Sequence, residues 1–85
     1  MAKKTAAAAI SQWPLVRLRW IDSCSPQGWH DQDSFDDYTP DNIESVGWVI
    51  REDDVAIIIS AHVGSSQVDG TICIPKVAIL ERTPI

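Results

Sequence analysis

Positive charge, glycine and cysteine are all scarce in this sequence, and each shortage closes off a class of function. Seven Lys and Arg stand against twelve Asp and Glu, a formal charge of −5. That balance argues against sequence-independent binding to duplex nucleic acid, where affinity comes from neutralising phosphates. The four glycines form no Walker A or Rossmann fingerprint, so a glycine-rich phosphate cradle is not expected. Two cysteines, Cys24 and Cys73, are too few for a disulfide-built secreted scaffold, and reduced thiols in a cytoplasmic setting are expected. No apolar run approaches the ~20 residues of a membrane-spanning helix. Residues 6–10 are apolar, but too short for the ~7–15 residues of a secretory leader's apolar stretch.

What is present is a single domain's worth of globular chain. Eighty-five residues with 45% hydrophobic and 22% charged side chains fit one small core, thin enough to call for support from a partner chain. Residues 1–13 read as an arm, Ala-rich and ended by Trp13-Pro14, because proline disfavours helical geometry in the residue before it. Any helix in the arm stays marginal unless Ile10 and Trp13 dock.

From Leu15 the hydrophobic period becomes two. Val16, Leu18 and Trp20 alternate with Arg17 and Arg19, the pattern of a half-buried strand. A second strand is expected over 45–51 with Val46, Trp48 and Ile50 on the core face. A third spans 55–63 and is apolar on both faces at Ile57-Ile58-Ile59, which asks for a core on one side and a second layer or partner on the other. Short strands follow over 71–74 and 77–81, separated by Pro75, which cannot donate to a sheet ladder. Five short strands predict an all-β small barrel over 14–85, closure being one way to remove sheet edges.

The segment Ile74-Pro75-Lys76-Val77-Ala78-Ile79 and the strand spacing resemble the SH3-like or Sm-like small barrel. The Sm-like resemblance implies RNA binding, but the corresponding turns here, Arg51-Glu52-Asp53-Asp54 and Asp69-Gly70-Thr71, are acidic where phosphates would approach. A narrower likeness joins residues 16–23, Gly28-Trp29, 45–50 and 74–80 to short accessory proteins of tailed bacteriophages. That resemblance implies a viral protein of the host cytoplasm that counters bacterial defence, in some cases as an oligomeric sponge for cyclic nucleotide signals.

Chemistry-bearing motifs are few. His30 with Asp31 and Asp33, His62, Cys24 and Cys73 lack any HxH, CxxC or HExxH spacing, so no metal and no cofactor are expected. The acidic pairs Asp36-Asp37 and Asp53-Asp54 read as solvated loop faces. Ser60 and His62 share a strand face two residues apart, without an identifiable carboxylate or a GxSxG turn. Catalysis is therefore not expected.

Binding is. Residues 23–44 form a connection longer than the ~12–15 residues usual in compact domains, and Trp29, Phe35 and Tyr38 in it should plug the barrel mouth or form a ligand surface. Thr39-Pro40-Asp41 has the chemistry to open one helical turn. Arg17 and Arg19 either pair with acids across the sheet or offer planar forks to phosphate. Four Trp exceed what a small barrel can bury, and Trp13 or Trp29 should meet another chain or a ligand. The expected site is Arg17, Arg19, Trp29, Tyr38 and Arg51, holding a small anionic nucleotide-like ligand in a homo-oligomer. The competing expectation is an inhibitor or adaptor that engages a host protein through the acidic loop.

Overall fold

The computed structural model describes residues 12–85; the rest of the expected arm lies outside the described residues. Five antiparallel strands, β1 (Leu15–Asp22), β2 (Asp41–Glu52), β3 (Ala56–Val63), β4 (Val68–Pro75) and β5 (Ile79–Pro84), make one sheet in the order β4-β3-β2-β1-β5. A single 3-10 turn, Lys76–Ala78, links β4 to β5. It takes up the first two residues of the strand expected over 77–81, and Pro75, the last residue of β4 and still paired with Ala56, is its N-cap. The sheet is open: β4 and β5 are edges, so the expected closure of the barrel is corrected to a rolled, unclosed sheet.

The alternation on β1 reads directly into burial. Val16, Leu18 and Trp20 are buried with Val49, Ile57, Ile59 and Ile74, and Ile43 and Ile79 pack against them. Each such side chain is worth roughly 1.5–3 kcal/mol on burial. The Trp20 indole N–H donates to Ser45 Oγ at 3.1 Å, so the ring enters the core with its polar atom satisfied.

On β2 the expected face is reversed. Val16 pairs with Gly47, Leu18 with Ser45 and Trp20 with Ile43, so the core face carries Ile43, Ser45, Gly47 and Val49. Trp48 is half-buried on the opposite face and Val46 is exposed. Both parities of β2 are apolar, and pattern alone cannot choose between them. Gly47 decides it: a Cβ there would lie 3.0 Å from the Ser60 carbonyl oxygen and 3.1 Å from Ile59 Cβ, so this tight spot takes only the residue without a side chain. After Val49 the pairing slips, with Arg51 opposite Ile58, which leaves Ile50 as an extra, bulged residue.

The roll of the sheet can be measured from one contact. Arg82 is opposite Leu18, and Leu18 is opposite Ser45. Glu52 lies seven residues farther along β2, roughly 23 Å in a flat strand at ~3.3 Å per residue. Yet Arg82 Nη1 donates to both Glu52 oxygens at 2.9 and 2.8 Å. The sheet must curl to bring the far end of β2 over β5. Lys76 adds a 2.7 Å ion pair to the same carboxylate, and its backbone N–H donates to the Val55 carbonyl at 2.8 Å.

Candidate functional site

The expected site residues fall in three places. Arg17 and Arg19 project from β1 on the face away from Leu18, each half exposed. Both guanidinium groups converge on Glu81 of β5, at 4.0 Å from Arg17 and 3.4 Å from Arg19. The acids that face them are the ones the register supplies: Glu44 and Glu81 flank Arg19, while Val46 and Thr83 flank Arg17. Pairing with an acid across the sheet is thus the arrangement found, with Glu81 as the partner. Arg51 is exposed just past the β2 bulge, ten residues from the Asp41 end of the strand, where the long loop ends.

Trp29 and Tyr38 belong to that loop, residues 23–40, which leaves the sheet between the paired residues Asp22 and Asp41. Arg17 is five residues from this base, about 17 Å of extended strand, so the loop aromatics and the arginine pair occupy separate stretches of the β1–β2 hairpin. The loop does not cover the sheet. Phe35 stacks edge-on to His30 and Tyr38, with centroids 5.7 and 5.6 Å apart, and all three rings remain exposed. The expectation that Trp29, Phe35 and Tyr38 plug a barrel mouth is corrected: the cluster is internal to the loop. No helical turn opens at Thr39-Pro40-Asp41, because Asp41 already belongs to β2.

Local bonds hold the loop in this shape. His30 Nε2 lies 2.7 Å from the Gln27 carbonyl, Ser34 Oγ donates to the Asp31 carbonyl, and the Cys24 thiol donates to the Thr39 carbonyl. Backbone turns close from Ser34 to Asp31 and from Tyr38 to Phe35. Gly28, at φ +85°, supplies the left-handed step that most side chains resist, and the next residue is Trp29. Its relative exposure is 102%, so the indole makes no packing contact. Asp31, Asp33, Asp36 and Asp37 are exposed around it.

The other chemistry-bearing residues among those described lie apart from one another. Among the described residues, no three His, Cys, Asp or Glu side chains converge to hold a metal ion. The fully buried Ser60 bonds its hydroxyl to Thr71 across the β3–β4 pair, while His62 is exposed. Cys24 and Cys73 are both free thiols on the surface. Among the described residues, no buried side-chain nitrogen or oxygen is left without a hydrogen bond. Two carboxyls are held below their ordinary range: Glu52 by hydrogen bonds from Lys76 and then Arg82, and Asp53 by the backbone N–H groups of Ala56 and Val55. Both serve the β2–β3 turn and the roll of the sheet.

A cleft of about 700 Å³ was not foreseen as a site. Gln12 and Trp13, Ile50 of β2, Val63 of β3 and the β3–β4 turn line it. Its parts come from three distant segments, so no local motif marks it; Trp13 alone carried a signal, as a surplus aromatic. Among the described residues, no helix is long and apolar enough to cross a membrane. Comparison with protein families, curated proteins and solved structures finds no match to this chain.

Proposed function

We propose that this chain is a non-catalytic binding module on a small SH3-like or Sm-like scaffold, and that its β1–β2 loop engages a protein with a basic surface. The observation that carries this reading is Trp29, wholly exposed on a loop tied by its own hydrogen bonds. Trp is enriched among the few residues that dominate protein interfaces, because it buries a large area with little conformational freedom to lose. The aspartates around it favour a cationic partner and speed encounter at low salt. The strand order, with one 3-10 turn between β4 and β5, supports an SH3-like or Sm-like scaffold whose sheet is left open.

The test compares the full chain with Trp29→Ala as baits for host proteins, followed by calorimetry with the purified partner. The expected result is a stoichiometric partner that the wild type binds, that Trp29→Ala loses, and that weakens as salt rises. Equal retention by both baits, or no salt dependence, overturns the proposal.

A second reading keeps the nucleotide sponge of a phage counter-defence protein. Its support is the convergence of Arg17 and Arg19 on one carboxylate, a two-guanidinium fork that a phosphate could enter in place of Glu81. In this reading a homo-oligomer brings two forks to one ligand. Ligand binding to the folded state raises thermal stability by mass action, so a panel of cyclic nucleotides should raise the melting temperature of the wild type but not of the Arg17→Ala/Arg19→Ala variant. A flat response across the panel removes the sponge and leaves the loop-binding reading untouched.

A further inference from the structure

The geometry points to a second binding site, in the cleft beside the β3–β4 turn, for a neutral hydroxyl-rich ligand of the saccharide class. The walls are preorganised. The Pro14 carbonyl accepts the Val49 N–H at 2.8 Å, which fixes the backbone next to Trp13. Elsewhere in the lining, the Gly64 N–H donates to the Gln67 carbonyl at 2.7 Å and closes the turn that presents Ser65 and Ser66. Ile50 joins the lining because it is the bulged residue of β2, and bulges commonly re-aim a side chain in this way.

The lining selects the ligand class. The cavity, about 700 Å³, lies within the ~300–1,000 Å³ common for small-molecule sites. The described residues that line it are all uncharged, so none of them offers a countercharge to a phosphate, a carboxylate or a cation. Gln12, Ser65, Ser66 and Gln67 together supply amide donors, amide acceptors and hydroxyls that do both. That mixture matches sugar hydroxyls, which donate and accept from one atom. Trp13 adds a flat apolar surface suited to the C–H face of a pyranose ring, and Ile50 and Val63 provide the remaining apolar wall. The site shares no residue with the β1–β2 loop or the arginine fork, so its occupancy is independent of either functional reading.

The experiment is calorimetry and ligand-observed NMR on the full chain with maltotriose, cellotriose and triacetylchitotriose, and with adenosine and uridine as neutral aromatic competitors. The expected outcome is saturable binding of at least one trisaccharide, weakened at least about tenfold, or ~1.4 kcal/mol, in Trp13→Ala and unchanged in Trp29→Ala. Gln67→Ala and Ser66→Trp lie on an exposed turn outside the core, and both should weaken the same ligand. They decide the matter if Trp13→Ala fails to fold. Binding of none of the saccharides, binding of the nucleosides instead, or saccharide binding that survives the cleft substitutions overturns the assignment.

Discussion

Glu52→Gln removes the charge that pins the curled end of β2 to the β4–β5 turn and to β5, while keeping the side chain's shape. The carboxylate receives Lys76 at 2.7 Å and one bond from Arg82 to each oxygen, at 2.9 and 2.8 Å. Exposed ion pairs contribute ~0.2–1 kcal/mol apiece; two of them on one partly covered carboxylate give about 1 kcal/mol. In a domain of this size that corresponds to a fall in melting temperature of roughly 4–8 °C. The pH dependence has a fixed sign. Glu52 is lowered from 4.5 in the folded chain, so its contribution is fully present above that value and is lost as pH falls through the folded pKa. Thermal unfolding of wild type and variant at pH 7 and at pH 3, in low and high salt, measures this. The gap between them should narrow as pH falls from 7 to 3 and shrink in high salt. A variant that melts with the wild type at pH 7 in low salt refutes the clamp, as does a gap indifferent to pH.

Gly47→Ala should destabilise by about 1–3 kcal/mol, the usual range for overpacking, because its Cβ meets backbone at 3.0 Å; an unchanged denaturation midpoint would contradict the close approach of β3 to β2 at Gly47. Ile57→Ala, which truncates a fully buried side chain, should cost about 2–5 kcal/mol in urea unfolding. A loss below 1 kcal/mol would place the core elsewhere. Both Cys24 and Cys73 are exposed, and the native chain should react with two equivalents of a thiol reagent without denaturant; one equivalent or none would contradict the surface described. Gly28→Ala should lower the melting temperature modestly, through backbone strain and not through a clash, since nothing lies within 4 Å of the added Cβ. Because φ is +85° there, it should reorient Trp29 and weaken partner capture as Trp29→Ala does. Full capture by Gly28→Ala would show that the loop's shape is irrelevant.

How much of this was legible from residues depends on whether one parity of a strand is polar. β1 was plain, because Arg17 and Arg19 can face only away from the core that Val16, Leu18 and Trp20 build. β2 was not, since Ile43, Ser45, Gly47 and Val49 compete with Val46, Trp48 and Ile50, and a steric fact about Gly47 settles the face. The all-β character and the interruption after Pro75 followed from period and proline chemistry. Closure did not, because edge pairing is a property of the whole sheet. In the loop, aromatic content signalled order, yet Phe35, Tyr38 and His30 meet one another instead of the sheet. The cleft joins Gln12 and Trp13 to Ile50 and to a turn over fifty residues away, a juxtaposition with no footprint in local sequence.

The pairing of β1 with β5 bears on how the chain is made. β1 is the first described strand and β5 the last, yet Val16, Arg17 and Leu18 find their β5 neighbours in Pro84, Thr83 and Arg82, and Ile85 donates its N–H to Leu15. Pairing across so long a loop is entropically late. One flank of the strand that carries Leu18 and Trp20 therefore stays unpaired until β5 has been made. A premature stop before residue 79 would release a hairpin-rich fragment with a sticky side, prone to stack with its own kind. Conversely, the described body begins and ends side by side, so a short linker from residue 85 to residue 12 should allow new termini to be cut in the β1–β2 loop without unpairing a strand.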